Sequence, residues 1–185
     1  MSCVVGYAKD GHVWMGADSA GTTEDGNQFI LKTPKIHKEG EFLIGIAGHN
    51  RGMQLLQTEI DLSGITEKAV GISNWDILQV IAESLRECFV DHGYVYVKDG
   101  RELGDVFLIG FHGQLYEIQA EFDVPQMAST YHAIGAGDMV ALGALHALAS
   151  VELDGVGPED HIAIALKAAS KYRADVRSPY IIESI

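Results

Sequence analysis

The chain is short of cysteine, proline and basic residues, and each shortage narrows what it can be. Its two cysteines, Cys3 and Cys88, fall on a predicted strand and a predicted helix. They are too few for a disulfide framework, which points to a reducing compartment. Thirteen Lys and Arg stand against 26 Asp and Glu, a formal net charge of −13. Such a surface lacks the basic footprint that nucleic acid or an anionic membrane requires, so neither is expected as a partner. The carboxylates are dispersed rather than gathered in a tail, and they read as a solvating surface. No stretch approaches the ~18 continuous apolar residues of a membrane span. The first residues show no basic segment leading into an apolar one, so no signal peptide is expected and the location should be cytoplasmic. Eight histidines occur without His-x-x-x-His or Cys-x-x-Cys spacing, so no metal site is predicted, and no cofactor either. His12, His49 and His132 fit turn or strand-end positions.

What is present is apolar and rich in turns. Apolar residues make up 47% of the chain, and 21 glycines stand against 4 prolines, consistent with one domain over residues 1–185. Strands are predicted over Ser2–Lys9 and His12–Ser19, joined by the hairpin turn Asp10-Gly11. A polar loop from Gly21 to Gln28 follows, then short strands at Lys35–Lys38 and Phe42–Ala47. The period then changes to helical over His49–Leu62 and Asn74–His92, the second opened by the capping pattern Ser73-Asn74-Trp75-Asp76. Strands return at Val106–Phe111, Leu115–Gln119 and Tyr131–Ile134. A helix from Asp138 to Glu152 is apolar almost all round and should be covered on several sides. Pro158 opens the last helix, and Tyr180–Ser184 is the closing strand. Antiparallel hairpins with helices in consecutive pairs exclude a doubly wound parallel sheet. The fold class they predict is α+β: a four-layer αββα sandwich, two stacked mainly antiparallel sheets flanked by helix pairs.

Ser2 stands directly behind the initiator methionine, and its small side chain permits removal of Met1. The mature chain would then carry an α-amine and a hydroxyl on one residue, with an amine pKa near ~8 that leaves much of it neutral and able to accept a proton. Three further features lie in the first quarter of the chain: Asp18 at the end of the second strand, Lys35 at the start of a short strand, and Gly45 inside the apolar run Leu43-Ile44-Gly45-Ile46-Ala47. Glycine inside a strand often marks the close approach of another backbone or a ligand.

Together these segments resemble the proteasome β subunits and the proteasome-like peptidase HslV, which are N-terminal nucleophile hydrolases. The resemblance runs nearly end to end. It covers the N-terminal hydroxyl residue before Val4-Val5-Gly6, Gly11-His12-Val13 leading into Gly16-Ala17-Asp18, Lys35-Ile36, and Ile44-Gly45-Ile46-Ala47-Gly48. It continues through Ala133-Ile134-Gly135-Ala136-Gly137 before an Ala-rich helix, and Asp175-Val176-Arg177-Ser178. The short stand-alone bacterial and phage proteins of this type are most similar, sharing a Gly-Ala-Asp-Ser segment and a run like Ala141-Leu142-Gly143.

The resemblance implies a peptidase with Ser2 as nucleophile and its α-amine as base, acting on peptide or unfolded protein inside a homo-oligomeric ring, to which an ATPase unfoldase could deliver substrate. A lysine ammonium beside Ser2 would keep the amine neutral by charge repulsion, and Asp18 would orient that lysine. The Gly45 N–H would meet the developing oxyanion. By resemblance, Asp175 and Ser178 would support the Ser2 amine, and Gly21, Thr22, Ala47 and Gly48 would line the substrate channel. Leu43, Ala47 and Arg51 would fall at the first specificity pocket. Serine replaces the threonine of most relatives, and Ala136 replaces the serine of their Gly-Ser-Gly segment. The alternatives are a catalytically silent assembly subunit and an amidase for small non-peptide amides. Gly135-Ala136-Gly137 does not support a dinucleotide site, because Val140 takes the third glycine's place and no βαβ unit surrounds it.

Overall fold

The first hairpin alternates in a way that sets the layers of the molecule. In the computed structural model, which describes residues 2–23, 25–68, 71–151 and 154–185, β1 (Cys3–Lys9) sends Val4 and Ala8 to one face and Cys3 and Val5 to the other. Both faces are covered, so Cys3, Val4 and Val5 are all fully buried. Asp10 and Gly11 take positive φ values of 52° and 80° and return the chain into β2 (His12–Ala17), with Lys9 opposite His12. Met1, on which the removal of the initiator rests, lies outside the described residues.

The polar stretch after Asp18 is more ordered than its composition suggests. Its ends form a small hairpin, β3 (Ala20–Thr22) with β4 (Gln28–Ile30). β5 (Ile36–Glu39) and β6 (Phe42–Ala47) then pair across the Gly40 turn. The helix expected over His49–Leu62 is α1 (Asn50–Glu59), which stops short of the expected end, and an unforeseen second helix, α2 (Leu62–Lys68), starts there. The break has a local cause: the Asp61 carboxylate accepts the Gly64 N–H at 2.9 Å, the hydrogen bond of a new helix start. α3 (Asn74–Asp91) opens on Ser73, whose hydroxyl accepts the Asp76 N–H at 3.2 Å. An unforeseen hairpin follows, β7 (Tyr96–Lys98) and β8 (Arg101–Leu103), turned by Asp99 and Gly100 at positive φ. The chain continues through β9 (Val106–Phe111), β10 (Gln114–Ile118), β11 (Tyr131–Gly135), α4 (Asp138–Ala149), α5 (Pro158–Tyr172) and β12 (Ile181–Ser184). The end predicted for the helix that is α4, Glu152, falls outside the described residues.

Two antiparallel four-stranded sheets result, ordered β11-β1-β2-β12 and β10-β9-β6-β5. Their facing sides meet in a core of Val4, Val13, Met15, Leu43, Leu108 and Ile134. The outer side of the first sheet packs on α4 and α5 through Cys3, Val5, Leu145, Ile162 and Leu166. The outer side of the second packs on α1, α2 and α3 through Ile44, Leu55, Leu78, Leu85 and Phe107. The architecture is the four-layer αββα sandwich. α4 departs from expectation: only Ala141 and Leu145 are buried, while Met139 is 77% exposed. Among the described residues nothing covers its second apolar side.

Gly45 belongs to the inter-sheet core. It is opposite Ile36 on one side and Leu108 on the other, and a Cβ there would overlap Val4 Cγ1 and sit 2.9 Å from Met15 Sδ. The sheets can approach this closely because that side chain is missing. Gly45→Ala should therefore cost about 1–3 kcal/mol by overpacking, read as a lower denaturant midpoint at unchanged m-value.

Candidate active site

The site is assembled where strands of both sheets end. Asp18 follows β2 directly, and antiparallel pairing of Ala17 with Val4 brings it beside the start of β1. Its carboxylate is 1% exposed and fully used. Oδ1 accepts the Cys3 N–H at 2.9 Å and the Lys35 ammonium at 2.8 Å. Oδ2 accepts the Ala20 N–H at 2.8 Å and the Arg177 N–H at 3.3 Å. Lys35, immediately before β5, is itself only 5% exposed. A buried ion pair is tolerated when hydrogen bonds occupy its remaining positions, and here three backbone donors do so.

Ser2 is 4% exposed and borders a cleft of about 160 Å3 together with Gly21, Thr22, Lys35 and Gly48. Because Cys3 N–H and the Lys35 ammonium share one carboxylate oxygen, the lysine head group is held against the peptide that leaves Ser2. From below, Gly135 closes on Ser2. It has φ of +95°, stands opposite Cys3, and a Cβ on it would overlap the Ser2 carbonyl oxygen. Thr22 Oγ1 is buried in the cleft wall without a hydrogen-bond partner among the described residues. The neighbouring Cys3 thiol is pushed up to about 12, by burial first and then by the Asp18 charge, so it is a core group and no nucleophile.

Other sequence-predicted residues lie elsewhere. Gly45 is on an interior strand, whose N–H groups point along the sheet to its neighbours, and its bare face is in the inter-sheet core. The glycine at the cleft is Gly48, one residue past the last ladder pair, Ala47 with Val106. Among the described residues the Gly48 N–H donates to no protein acceptor. Leu43 is fully buried between the sheets, too far inside to meet a substrate. Ala47 is half-buried beside Gly135, and Arg51 is exposed in the first turn of α1. Asp175 is buried, but its two oxygens accept from Arg173 at 3.1 and 3.0 Å. Burial raises the Asp175 pKa and the Arg173 hydrogen bonds lower it, and the latter prevail. Ser178 is exposed and lines a different recess, with Gln28, Phe29 and Arg177. Sequence reasoning missed Ala20, Phe29, Leu31, His49 and Asn50 on the Ser2 cleft. Of these only His49 and Asn50 had a signal, since they directly follow Gly48.

A larger cleft of about 500 Å3 opens toward the other end of β1, between Trp75, Tyr116 and Met127. Its lining contains no acid, lysine or histidine, so hydrolytic chemistry is better served at the smaller one. No group of three His, Cys, Asp or Glu that could hold a metal occurs among the described residues. No helix among them is long and apolar enough to cross a membrane.

No family model and no curated protein matches the chain. Solved structures do. Thiobacillus denitrificans BPH superposes with a TM-score of 0.78 at 18% identity, covering 99% of this chain and 97% of that one, and the same protein is known in complex with epoxomicin. Eukaryotic HslV from Trypanosoma brucei follows at 0.73 and 18% identity, covering 98% of both chains. The chain has the proteasome-β/HslV fold. An Anbu (Gly-1) mutant from Hyphomicrobium sp. strain MC1 shares it at a TM-score of 0.65 and 14% identity, with 98% of this chain and 80% of that one covered. At these identities the likeness is one of fold.

Asp18→Ala removes the carboxylate from a buried ammonium and the acceptor from three backbone N–H groups. Loss of about 3–5 kcal/mol of stability is expected, measured by urea denaturation.

Proposed function

We propose that the chain is a peptidase of the N-terminal nucleophile type, with Ser2 as the nucleophile once Met1 is removed. The observation that carries the proposal is the Ser2 cleft itself: a hydroxyl residue, a buried ammonium and an uncommitted backbone N–H border one cavity at the end of both sheets. The free α-amine takes the proton from Ser2 Oγ, directly or through one water, as Oγ attacks the scissile carbonyl. The Lys35 ammonium disfavours protonation of that amine beforehand and stabilises negative charge on Oγ during attack. Gly48, in place of the Gly45 suggested by sequence, donates to the oxyanion, a contact of about 3 kcal/mol in comparable sites. The amine then returns the proton to the leaving nitrogen, and water hydrolyses the resulting ester. Thr22, with its unpartnered hydroxyl, and Gly21 lie along one wall, where an extended substrate would run. Asp175, whose charge reaches the Cys3 thiol next to Ser2, serves as a second charge behind the Ser2 amine, while Ser178 lines another recess.

The uncovered side of α4, with Met139 exposed, supports assembly with further copies of the chain, in a homo-oligomeric ring. A second reading, a catalytically silent assembly subunit, is favoured by Ala136 and by the engagement of Asp175 with Arg173.

Intact-mass spectrometry of the purified protein should show loss of one methionine. A peptide epoxyketone should label the wild type, Ser2→Ala should abolish labelling, and Lys35→Ala should slow it at least about 100-fold. A retained methionine with no labelling supports the silent subunit, and labelling that survives Ser2→Ala overturns the nucleophile assignment.

A further inference from the structure

Asp105 is a buried carboxylate to which the chemistry above gives no task, and it stands at the β9 end beside the turn that carries Gly48. Helix α1 begins at His49 with no side-chain acceptor of its own. Asp105 supplies one across 56 positions of sequence, Oδ1 accepting the His49 N–H at 3.3 Å. Its Oδ2 accepts the Tyr94 hydroxyl at 2.6 Å, and the Tyr94 ring packs edge-on against the fully buried Phe89 at 4.8 Å between centroids. Gly48 and Gly52 both turn their side-chain-free faces to this carboxylate, and a Cβ on either would overlap one of its oxygens. A continuous chain of contacts therefore runs from the α3 core through Tyr94 and Asp105 to the rim of the Ser2 cleft.

The peptide between Gly48 and His49 is planar, so holding the His49 N–H fixes the Gly48 carbonyl and Cα, while the preceding peptide, which carries the Gly48 N–H, is restrained from its other side by the pairing of Ala47 with Val106. That restraint matters because glycine has almost no steric restraint of its own. Burying a carboxylate is unfavourable, and burial does push the Asp105 carboxyl up against the opposing pull of Tyr94 and His49. The compensation is the α1 N-terminus, where backbone N–H groups favour a negative charge.

We infer that Asp105 is a positioning residue that aims the Gly48 N–H at the oxyanion site of Ser2. The inference rests on the reading of Ser2 as nucleophile and Gly48 as donor. It is tested with Asp105→Ala, Asp105→Asn and Tyr94→Phe by measuring kcat and KM on a fluorogenic peptide. Inhibition by a peptide aldehyde, which forms a tetrahedral adduct with an oxyanion, is compared with inhibition by the peptide amide of the same sequence. Asp105→Ala should lose about 10- to 100-fold in kcat and in aldehyde affinity, less than deletion of a donor. Its KM and amide affinity should change less than about twofold, since ground-state binding does not use the oxyanion contact. Asp105→Asn keeps an oxygen acceptor in place and should recover most of the loss. Should Asp105→Ala not fold, Tyr94→Phe carries the test, with a smaller fall in the aldehyde-to-amide affinity ratio. A folded Asp105→Ala or Tyr94→Phe with the wild-type ratio overturns the positioning role alone. A wild type that the epoxyketone does not label overturns the Ser2 reading beneath it.

Discussion

The carboxylate of Asp18 is the constraint on which the rest of the site depends. Four donors converge on its two oxygens: Cys3 at the start of β1, Ala20 at the start of β3, Arg177 ahead of β12, and Lys35 ahead of β5. Cys3 and Arg177 belong to the first sheet and its approach, Ala20 opens the β3–β4 hairpin, and Lys35 leads into the second sheet. One buried group thus ties the two sheets together at the end where Ser2 lies. Such an ion pair gains little net stability over an apolar substitute, because desolvation offsets most of the attraction. Its effect is geometric: it fixes an ammonium beside a hydroxyl in a cavity with little room for either to move.

The same end of the sandwich shows how differently two glycines three residues apart can be used. Gly45 lets β6 and β1 approach until Val4 fills the space of a side chain. Gly48 lies beyond the ladder, where the chain leaves the sheet and enters α1, and there its N–H is left over. Sheet packing consumes the first, and the strand-to-helix turn exposes the second. Asp105 belongs to this turn as much as any residue local to it, although it arrives from a distant strand.

Much of the fold was legible before any coordinates. Alternation in Cys3–Lys9, the Asp10-Gly11 turn, the Ser73 cap and Pro158 at the first turn of α5 are local signals, and local hydrogen bonding honours each one. Asp99-Gly100 carries the same turn signal as Asp10-Gly11 and marks the overlooked β7–β8 hairpin. The α1–α2 break was harder, since it turns on one side-chain bond from Asp61 that hydrophobic periodicity does not register. The all-round apolarity of α4 gave the right helix and the wrong environment, because periodicity reports what a face would bury against and not whether the chain supplies it.

By itself the sequence determined the layers and the kinds of group available, since strand and helix periods, turn residues and the order of elements are properties of neighbouring residues. It also placed Ser2, Asp18 and Lys35 at the ends of strands that such a fold must bring near one another. Tertiary structure alone decided which glycine faces the cleft, that Leu43 is interior, that Ser178 opens on another recess, and that Asp105 caps α1. Each of these depends on how closely two sheets approach or on a contact between residues dozens of positions apart, and neither distance is encoded in any local pattern.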